Sequence, residues 1–411
     1  MKVPFLDIHA CFDPLRGDIF RELEGVFDRC DFVLGKPVRD LEEAVRQYAG
    51  AKYAIGCASG TDALIIALRA AGVGPGMEVV TTPFSFIATA ESVYVAGARP
   101  VFCDISPATY NLDPAKVLKF IEKKCEVWDG ALTDLSTSLP VKALLPVHLY
   151  GLMADLNAFG EIARRFNLKL IEDAAQAFGA EMQLAGGAQG KCGAVGDAGC
   201  LSFYPSKNLG GAGDGGMILT NDPGIFELAD ILHIHGGKQK YYHTHFGYNS
   251  RLDSIQAAIL LVKLKQVDKW LEMRRNNAAL YTKLFKEKLG AAGVEVIESK
   301  DAPADGSRPE NAVILPSEPD GFRHTYNSYE IRLPRRDEAQ KHLTEKNIGC
   351  GIYYPLPLHL QKIFDYLGLR KGDLPVTEAI CADILAVPQY PELPPDAIEY
   401  VVDTVVGFLR E

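Results

Sequence analysis

Short apolar runs alternate with longer amphipathic segments between about residues 52 and 221. Runs of β-branched and aliphatic residues are typical of buried strands, and the intervening segments have the length and spacing of helices. This alternation predicts a parallel, doubly wound sheet, whose strands end at one shared crevice. The predicted strands are Tyr53–Cys57, Glu78–Thr82, Pro100–Asp104, Ala143–His148, Lys169–Glu172, Ala198–Phe203 and Met217–Thr220.

Two helices are predicted beyond these strands, over residues 222–235 and 254–289. Ile255, Ile259 and Val262 recur at helical spacing in the second one, with charged residues on the opposite side. The composition becomes loop-like near residue 301, and a mixed α+β segment follows. We therefore expect a large domain over residues 1–265 and a smaller C-terminal domain over residues 266–411.

The charge balance narrows the choice of partners. The chain has 43 basic and 53 acidic residues among 411, a net charge of −10, which argues against nucleic acid or an anionic membrane surface as a partner. The first residues lack the apolar core of a signal peptide, and no window has the length of a membrane span. We expect a cytoplasmic protein whose nine cysteines are reduced, because they form no paired motif.

A lysine and a carboxylate carry the candidate chemistry. Lys207 follows an apolar run and enters a Gly-rich loop, 34 positions after Asp173, which directly follows another predicted strand. A desolvated lysine populates the neutral amine that attacks an aldehyde. An acid at a neighbouring strand end can hold a proton on a pyridine nitrogen. Each residue alone is commonly a cap or an ion-pair member, but together they indicate a pyridoxal-phosphate site.

A phosphate-type turn supports this interpretation. Ser59, Gly60 and Thr61 lie where a strand ends and a helix begins, so free backbone N–H groups and the positive helix end meet at one point. An ordinary capped turn has the same sequence features. Ser202 adds a hydroxyl from a neighbouring strand, which favours the phosphate site. Phe86 lies just beyond the end of a third predicted strand and is our candidate for stacking on a flat ring, although aromatic residues are more often part of the core.

Two further motifs are set aside. Residues 211–216 satisfy GxGxxG but precede an apolar run, whereas a dinucleotide fingerprint follows a strand and opens a helix. Two HxH pairs at residues 233–235 and 243–245 have a spacing that can share a metal, but no acid or thiol completes the set. We predict no metal site and interpret these residues as a mobile loop near an anionic ligand.

Tyr353 and Tyr354, in a proline-rich turn, are candidates for lining a substrate entrance.

Five segments of the chain, in order and spread over its length, resemble the DegT/DnrJ/EryC1/StrS family of nucleotide-sugar aminotransferases. The resemblance implies the α/β fold of aspartate aminotransferase, fold type I of pyridoxal-phosphate enzymes, with a mainly parallel seven-stranded sheet and a smaller α+β C-terminal domain. It also implies a homodimer with active sites at the subunit boundary. The segments are Ala58–Leu64, Pro146–Gly151, Glu172–Gly179, Ser202–Gly210 and Gly247–Asp253.

The resemblance assigns a role to each candidate residue. Lys207 is the Schiff-base lysine, and Asp173 is the partner of the pyridine nitrogen. Phosphate binding falls to Gly60, Thr61 and Ser202, with Asn249 of the partner subunit; Gln176 contacts the ring's 3-oxygen side, and Phe86 stacks on the ring. Arg251 is the candidate for holding a carboxylate of the donor or the sugar.

The implied reaction transfers an amino group from L-glutamate to a nucleotide-linked keto sugar, with pyridoxamine 5′-phosphate as the intermediate cofactor form. A 3-oxo sugar linked to UDP or dTDP is expected, for surface polysaccharide (lipopolysaccharide) or other amino-sugar synthesis. Family members that dehydrate the sugar carry histidine in place of Lys207, so transamination is favoured. The family's enzymes for uronic acids often have His-Tyr-Pro where this chain has Tyr353-Tyr354-Pro355. The alternatives are amination of a 4-keto-6-deoxy sugar, a cofactor-dependent dehydratase, and a non-catalytic regulator.

Overall fold

The computed structural model describes residues 1–410, which form sheets of nine, four and three strands with helices packed around them. The strands are β1 Tyr53–Cys57, β2 Glu78–Thr81, β3 Arg99–Phe102, β4 Cys125–Trp128, β5 Ala131–Asp134, β6 Leu139–Leu145, β7 Lys169–Asp173, β8 Glu181–Gln183, β9 Gln189–Lys191, β10 Ala198–Ser202, β11 Gly216–Thr220, β12 Glu295–Glu298, β13 Ala312–Leu315, β14 Phe322–Arg323, β15 Tyr329–Arg332 and β16 Ile384–Val387. The α-helices are α1 Ile8–Phe12, α2 Arg16–Arg29, α3 Lys36–Ala49, α4 Gly60–Ala70, α5 Ala88–Val95, α6 Pro114–Lys124, α7 Leu156–Phe166, α8 Pro223–Leu232, α9 Ser254–Leu264, α10 Val267–Ala291, α11 Arg336–Glu345, α12 Pro375–Asp383 and α13 Pro395–Arg410.

Seven strands form the body of the large sheet, in the order β1-β11-β10-β7-β6-β2-β3. All neighbours from β10 to β3 are parallel, whereas β11 runs antiparallel to both β1 and β10. The hairpin of β4 and β5 adds two strands beside the start of β6. The expected mainly parallel seven-stranded sheet is confirmed, and all seven predicted strands are present.

Alternation of side chains along each strand gives this sheet two apolar faces. Leu144 belongs to the cluster that packs against α3, whereas Leu145 belongs to the cluster that packs against α4 and α8. Strands β2 and β11 are buried at every position, as expected for strands covered on both sides. Helices on both faces leave the strand ends as the accessible edge of the sheet.

The prediction of one helix over residues 254–289 is wrong, because α9 ends at Leu264 and α10 begins at Val267. At the break, the Gln266 N–H donates to the Lys263 carbonyl at 2.9 Å, a shorter-range bond than the α-helical one. No proline or glycine marks the break, and the apolar spacing continues through it, so the pattern contained no stop signal. The helix predicted over 222–235 ends three residues early, at Leu232.

A second apolar core lies beyond the break and packs on the sheet β12-β13-β15-β16. It contains residues from 278 to 408 together with Val3, whose N–H donates to the Asn347 carbonyl at 3.0 Å. Val267 and Leu271 still belong to the first core, so the change of core falls within α10, and the domain boundary at residue 266 remains a proposal. The segment around Val3 packs with the second core. None of the helices in residues 1–410 is long and apolar enough to cross a lipid bilayer.

Candidate active site

A cavity of about 600 Å³ opens where β7 and β10 end and α4 begins. Other parts of its wall come from the N-terminal segment at Phe5 and from the C-terminal part of the chain, including residues 327–328 and 389. Nine of the eleven predicted site residues line it: Gly60, Thr61, Phe86, Asp173, Gln176, Ser202, Lys207, Tyr353 and Tyr354.

Lys207 lies in the turn after β10, where its N–H donates to the Tyr204 carbonyl at 2.9 Å. Burial lowers the pKa of Lys207, and the nearby charge of Asp173 opposes that effect. A lowered pKa enlarges the fraction of neutral amine at a given pH, and the neutral amine is the nucleophilic form. The environment of Lys207 thus matches the chemistry expected from its sequence position.

Asp173 is the last residue of β7 and is almost fully buried in the cavity wall. Its Oδ2 accepts a hydrogen bond from the Thr89 hydroxyl at 2.7 Å, and its Oδ1 accepts one from the Ala175 N–H at 3.2 Å. Burial raises the pKa of Asp173, whereas these two bonds favour the carboxylate and lower it. Thr89 was not predicted, because a threonine in a helix gives no signal of the carboxylate it contacts.

The neighbouring carboxylate, Glu172, has a structural task. It accepts hydrogen bonds from the Gly193 and Gly196 N–H groups, each at 2.6 Å, and lies 2.8 Å from His148 Nε2. Consecutive strand residues face opposite sides of a sheet. Glu172 therefore holds the loop before β10, and Asp173 is left to face the cavity.

The start of α4 forms the second end of the cavity. Ser59 caps the helix, its Oγ accepting from the Asp62 N–H at 3.1 Å. A Cβ on Gly60 would lie 2.7 Å from Ser202 Cβ, so only glycine permits this close approach to β10. The first N–H groups of a helix and its positive dipole end attract anions. With Thr61 and Ser202 beside them, they suit a phosphate.

Two phenylalanines after β2 have different surroundings. Phe84 is 1% exposed and belongs to the core, whereas Phe86 is 58% exposed and lines the cavity. The choice of Phe86 over Phe84 as the ring that is free to stack on a ligand is consistent with this placement.

Gln176 joins the strand-end motif to the entrance tyrosines. Its Oε1 accepts from the Tyr150 N–H at 2.7 Å, and its Nε2 donates to the Tyr354 hydroxyl at 3.0 Å. The Tyr150 hydroxyl in turn donates to the carbonyl of Tyr353. These bonds fix Gln176 and both entrance tyrosines in one network.

Asn249 and Arg251 do not reach the cavity of their own chain. Asn249 is exposed and its backbone pairs with Ile234, and Arg251 lines a separate open groove formed by residues 234–247. The same loop carries Phe246, which is 97% exposed. Within a single chain, the structure does not bring these two predicted residues to the other nine.

The histidines of this loop are engaged locally. His233 is buried with Nδ1 3.2 Å from the Gly56 carbonyl, and His243 Nδ1 lies 2.9 Å from the carbonyl of His235. His245 Nδ1 lies 2.9 Å from the Thr244 hydroxyl. Across residues 1–410, no three potential metal ligands come together.

The cavity residues fit pyridoxal 5′-phosphate. Its volume lies within the range of cofactor sites, the helix start suits the phosphate, and Phe86 offers a face for the ring. Lys207 supplies an amine for the aldehyde, and Asp173 supplies a buried carboxylate for the ring nitrogen. An arrangement with these features can hold the cofactor without a metal among its ligands.

Sequence reasoning missed a polar group on the opposite wall. Arg274, in α10, is 4% exposed and lines the cavity together with Ser328 and Gln389. An arginine on a long amphipathic helix is usually solvent-exposed, and the following Arg275 bonds to Glu318 near the surface. Nothing in the sequence distinguished the two arginines.

The chain is similar to known proteins over almost its whole length. A protein of Geobacillus stearothermophilus described as a pleiotropic regulatory protein is 45% identical over 411 residues, covering 100% of this chain and 99% of the relative. UDP-N-acetyl-3-dehydro-alpha-D-glucosamine 3-aminotransferase of Acidithiobacillus ferrooxidans is 37% identical over 403 residues, covering 98% and 97%.

Solved structures agree as well. DesV of S. venezuelae, in complex with a ketimine intermediate, has a TM-score of 0.86 and 34% identity, covering 100% of this chain and 99% of that one. NtdA of Bacillus subtilis, with the bound cofactor PMP, has a TM-score of 0.82 and 29% identity, covering 99% and 85%. The expected fold, transaminase activity and pyridoxal-phosphate cofactor are confirmed. With its match to the family over residues 14–406, the chain belongs to the DegT/DnrJ/EryC1/StrS aminotransferases.

Proposed function

We propose that this aminotransferase moves an amino group from L-glutamate to a nucleotide-linked 3-oxo sugar carried by UDP or dTDP. The observation that carries the proposal is the placement of Lys207, Asp173 and the start of α4 on one cavity. The similarity to a UDP-linked 3-aminotransferase supports the substrate class. Synthesis of amino sugars for surface polysaccharides, in the cytoplasm, is part of the proposal.

Each residue has a defined task in this reaction. When bound, pyridoxal phosphate supplies an aldehyde that an amine can join and a ring that accepts electrons. Asp173 would hold the proton of the ring nitrogen, and Gly60, Thr61 and Ser202 would bind the phosphate. The free amine of Lys207 would take the proton from the donor's α-carbon. Its lowered pKa prepares the amine for this role.

The substrate entrance involves Tyr353 and Tyr354. Both line the cavity, and Tyr354 is held by Gln176. We propose that these hydroxyls bind the sugar, because they lie on the wall contributed by the C-terminal part of the chain. The alternative substrate is a 4-keto-6-deoxy sugar. It would use the same residues with its sugar ring turned.

We propose a homodimer in which Asn249 and Arg251 of the partner subunit complete the site. The position of both residues outside their own cavity supports this arrangement, as does the exposure of Phe246. Analytical ultracentrifugation should give a dimer mass. If Asn249→Ala and Lys207→Ala mutants are mixed and subunits exchange, one restored site in each mixed dimer should recover activity. A monomer of full activity would contradict the proposal.

One experiment tests the reaction itself. The pyridoxamine form of the enzyme is mixed with a panel of nucleotide-linked 3-oxo and 4-oxo sugars, and the cofactor absorbance is followed. A 3-oxo sugar should restore the aldehyde form and yield an amino sugar. Restoration by 4-oxo sugars alone would favour the alternative substrate, and no restoration by any sugar would refute the proposal.

Two other activities are separable with the same sample. A dehydratase would release water from the sugar, and glutamate would leave the bound cofactor unconverted. A non-catalytic regulator is suggested by the description of the relative from Geobacillus stearothermophilus, and it would not need the Lys207 and Asp173 pair. Borohydride reduction followed by peptide mapping should find the cofactor on Lys207; an unmodified Lys207 would refute its role.

A further inference from the structure

Arg274 is a buried cation without an ion-pair partner. It is 4% exposed, and it has no carboxylate within salt-bridge distance among residues 1–410. Burial lowers the pKa of Arg274 to about 10, with the more distant charge of Glu392 opposing this effect. Buried charges are normally paired, because desolvating an unpaired charge is costly. An anion that arrives with a ligand would supply the missing partner.

Part of the guanidinium is free to bind such an anion. Both of its hydrogen bonds start at Nη1, which donates to the carbonyls of Gln389 at 2.8 Å and Asn327 at 3.2 Å. A guanidinium carries five N–H donors, so Nε and Nη2 remain available. Arg274 lines the active-site cavity. None of its side-chain nitrogens is both fully buried and without a hydrogen-bond partner. The bonds from Nη1 hold the group in place, and the free edge is available to a ligand.

The surrounding side chains add unpaired polar atoms. The Ser328 hydroxyl and the oxygens Asn327 Oδ1 and Gln389 Oε1 are enclosed and have no hydrogen-bond partner, and all three residues line the same cavity. Enclosed polar atoms are nearly always paired in native proteins. A ligand that brings both a carboxylate and N–H donors, as an amino acid does, would satisfy this group of atoms.

The position relative to Lys207 selects among the anions that this enzyme meets. Arg274 and Lys207 both line the active-site cavity, so an anion bound by Arg274 shares that cavity with the reacting amine. The carboxylate of an α-amino acid is one bond from its reacting carbon, whereas a nucleotide diphosphate is separated from the reacting carbon by the sugar ring. A carboxylate also matches the planar fork of arginine.

We propose that Arg274, with the Ser328 hydroxyl, binds the α-carboxylate of the amino donor. The inference rests on the proposed function and adds a donor subsite to it. It assigns the two substrates to different groups, because Arg274 serves the donor and Tyr353 and Tyr354 serve the sugar. The α-carboxylate of the donor is then held by the same subunit that supplies Lys207.

The test measures binding to the holoenzyme by calorimetry. The probe is α-methyl-L-glutamate, which has no α-proton and cannot complete the transfer. Arg274→Gln should weaken its binding roughly 10- to 100-fold, the factor expected for lost charge-assisted hydrogen bonds. Arg275→Gln is the matched control, because this neighbour bonds to Glu318 and does not line the cavity; its affinity for the probe should be unchanged.

Two further probes identify the group that is bound. The γ-amide of the same amino acid should lose as much affinity as the acid, because both keep the α-carboxylate. A loss for the acid alone would assign Arg274 to the side-chain carboxylate and overturn the proposal. UDP should bind Arg274→Gln and wild type equally, and a selective loss of UDP binding would also overturn it.

Two milder variants distinguish a loss of the subsite from a loss of the fold. Ser328→Ala removes a hydroxyl that also lies close to the Glu330 carboxyl, and it should weaken probe binding by about 3- to 10-fold. Arg274→Lys keeps the charge and should fall between Gln and wild type. Thermal unfolding and the cofactor absorbance confirm the fold of each. Unchanged probe affinity in folded Arg274 variants would refute the subsite. Probe binding requires no sugar, so it stays measurable even if the sugar panel fails.

Discussion

Thr89 offers a sharp test of how the buried carboxylate is tuned. Its hydroxyl donates to Asp173 Oδ2 at 2.7 Å and also lies 2.8 Å from the Ser85 hydroxyl. Thr89→Val keeps the shape of the side chain and removes the donor. Because this bond favours the charged carboxylate, its loss should raise the pKa of Asp173 and weaken its hold on a protonated ring nitrogen.

The magnitude follows from the kind of bond that is lost. A hydrogen bond to a charged group contributes about 1.5–3 kcal/mol, which corresponds to roughly 1 to 2 pKa units at about 1.4 kcal/mol per unit. If that shift appears fully in the barrier for proton removal from the donor, the rate falls roughly 10- to 100-fold. A smaller loss would mean that Ser85 or water replaces the hydroxyl.

The assay follows the glutamate half-reaction by stopped-flow absorbance at saturating glutamate. Thr89→Ser, which keeps the hydroxyl, is the matched control and should stay within about threefold of wild type, because the donor is retained. A pH titration of the bound cofactor's absorbance gives a second readout, which should shift in Thr89→Val and not in Thr89→Ser. Equal rates and equal titrations for the Val and Ser variants would refute the reasoning.

The remaining predictions concern the ring partner, the phosphate turn and a buried acid. Asp173→Asn should bind cofactor yet lose more than about 100-fold in turnover, measured by steady-state kinetics; retained turnover would count against its assignment. Gly60→Ala should weaken cofactor binding at least about 10-fold, because the added Cβ meets Ser202, whereas Gly74→Ala, which meets nothing within 4 Å, should not; cofactor titration compares them. Burial raises the pKa of Glu330 to about 8, from 4.5, so the native state keeps a proton that the unfolded chain releases. Stability should therefore fall as pH rises from about 5 to 8, by up to about 1.4 kcal/mol per pH unit, and urea titrations should show a shallower fall in Glu330→Gln.

The sequence predicted those parts of the site that depend on strand ends. Lys207, Asp173 and Ser202 each follow or end a buried run, and parallel strands bring such positions to one edge. Local chemistry was enough to recognise them. The same reasoning found the strands because their apolar runs are short and clearly bounded.

The features that were missed depend on contacts between distant segments. Thr89 and Arg274 acquire their significance from partners that lie far away in the chain, and neither stands in a distinctive local pattern. The break at Gln266 was hidden because apolar spacing persists through it. Asn249 and Arg251 were assigned by resemblance alone, and the resemblance itself placed Asn249 in another subunit.

The pairing of Val3 with the smaller domain bears on how the protein matures during translation. Val3 is made first, but its partner strand position, Ile348, leaves the ribosome near the end of synthesis. The adjacent Phe5 and Leu6 form part of the cavity wall. Contacts between such remote segments are slow to form. The wall of the cavity is therefore complete only when both ends of the polypeptide have packed together.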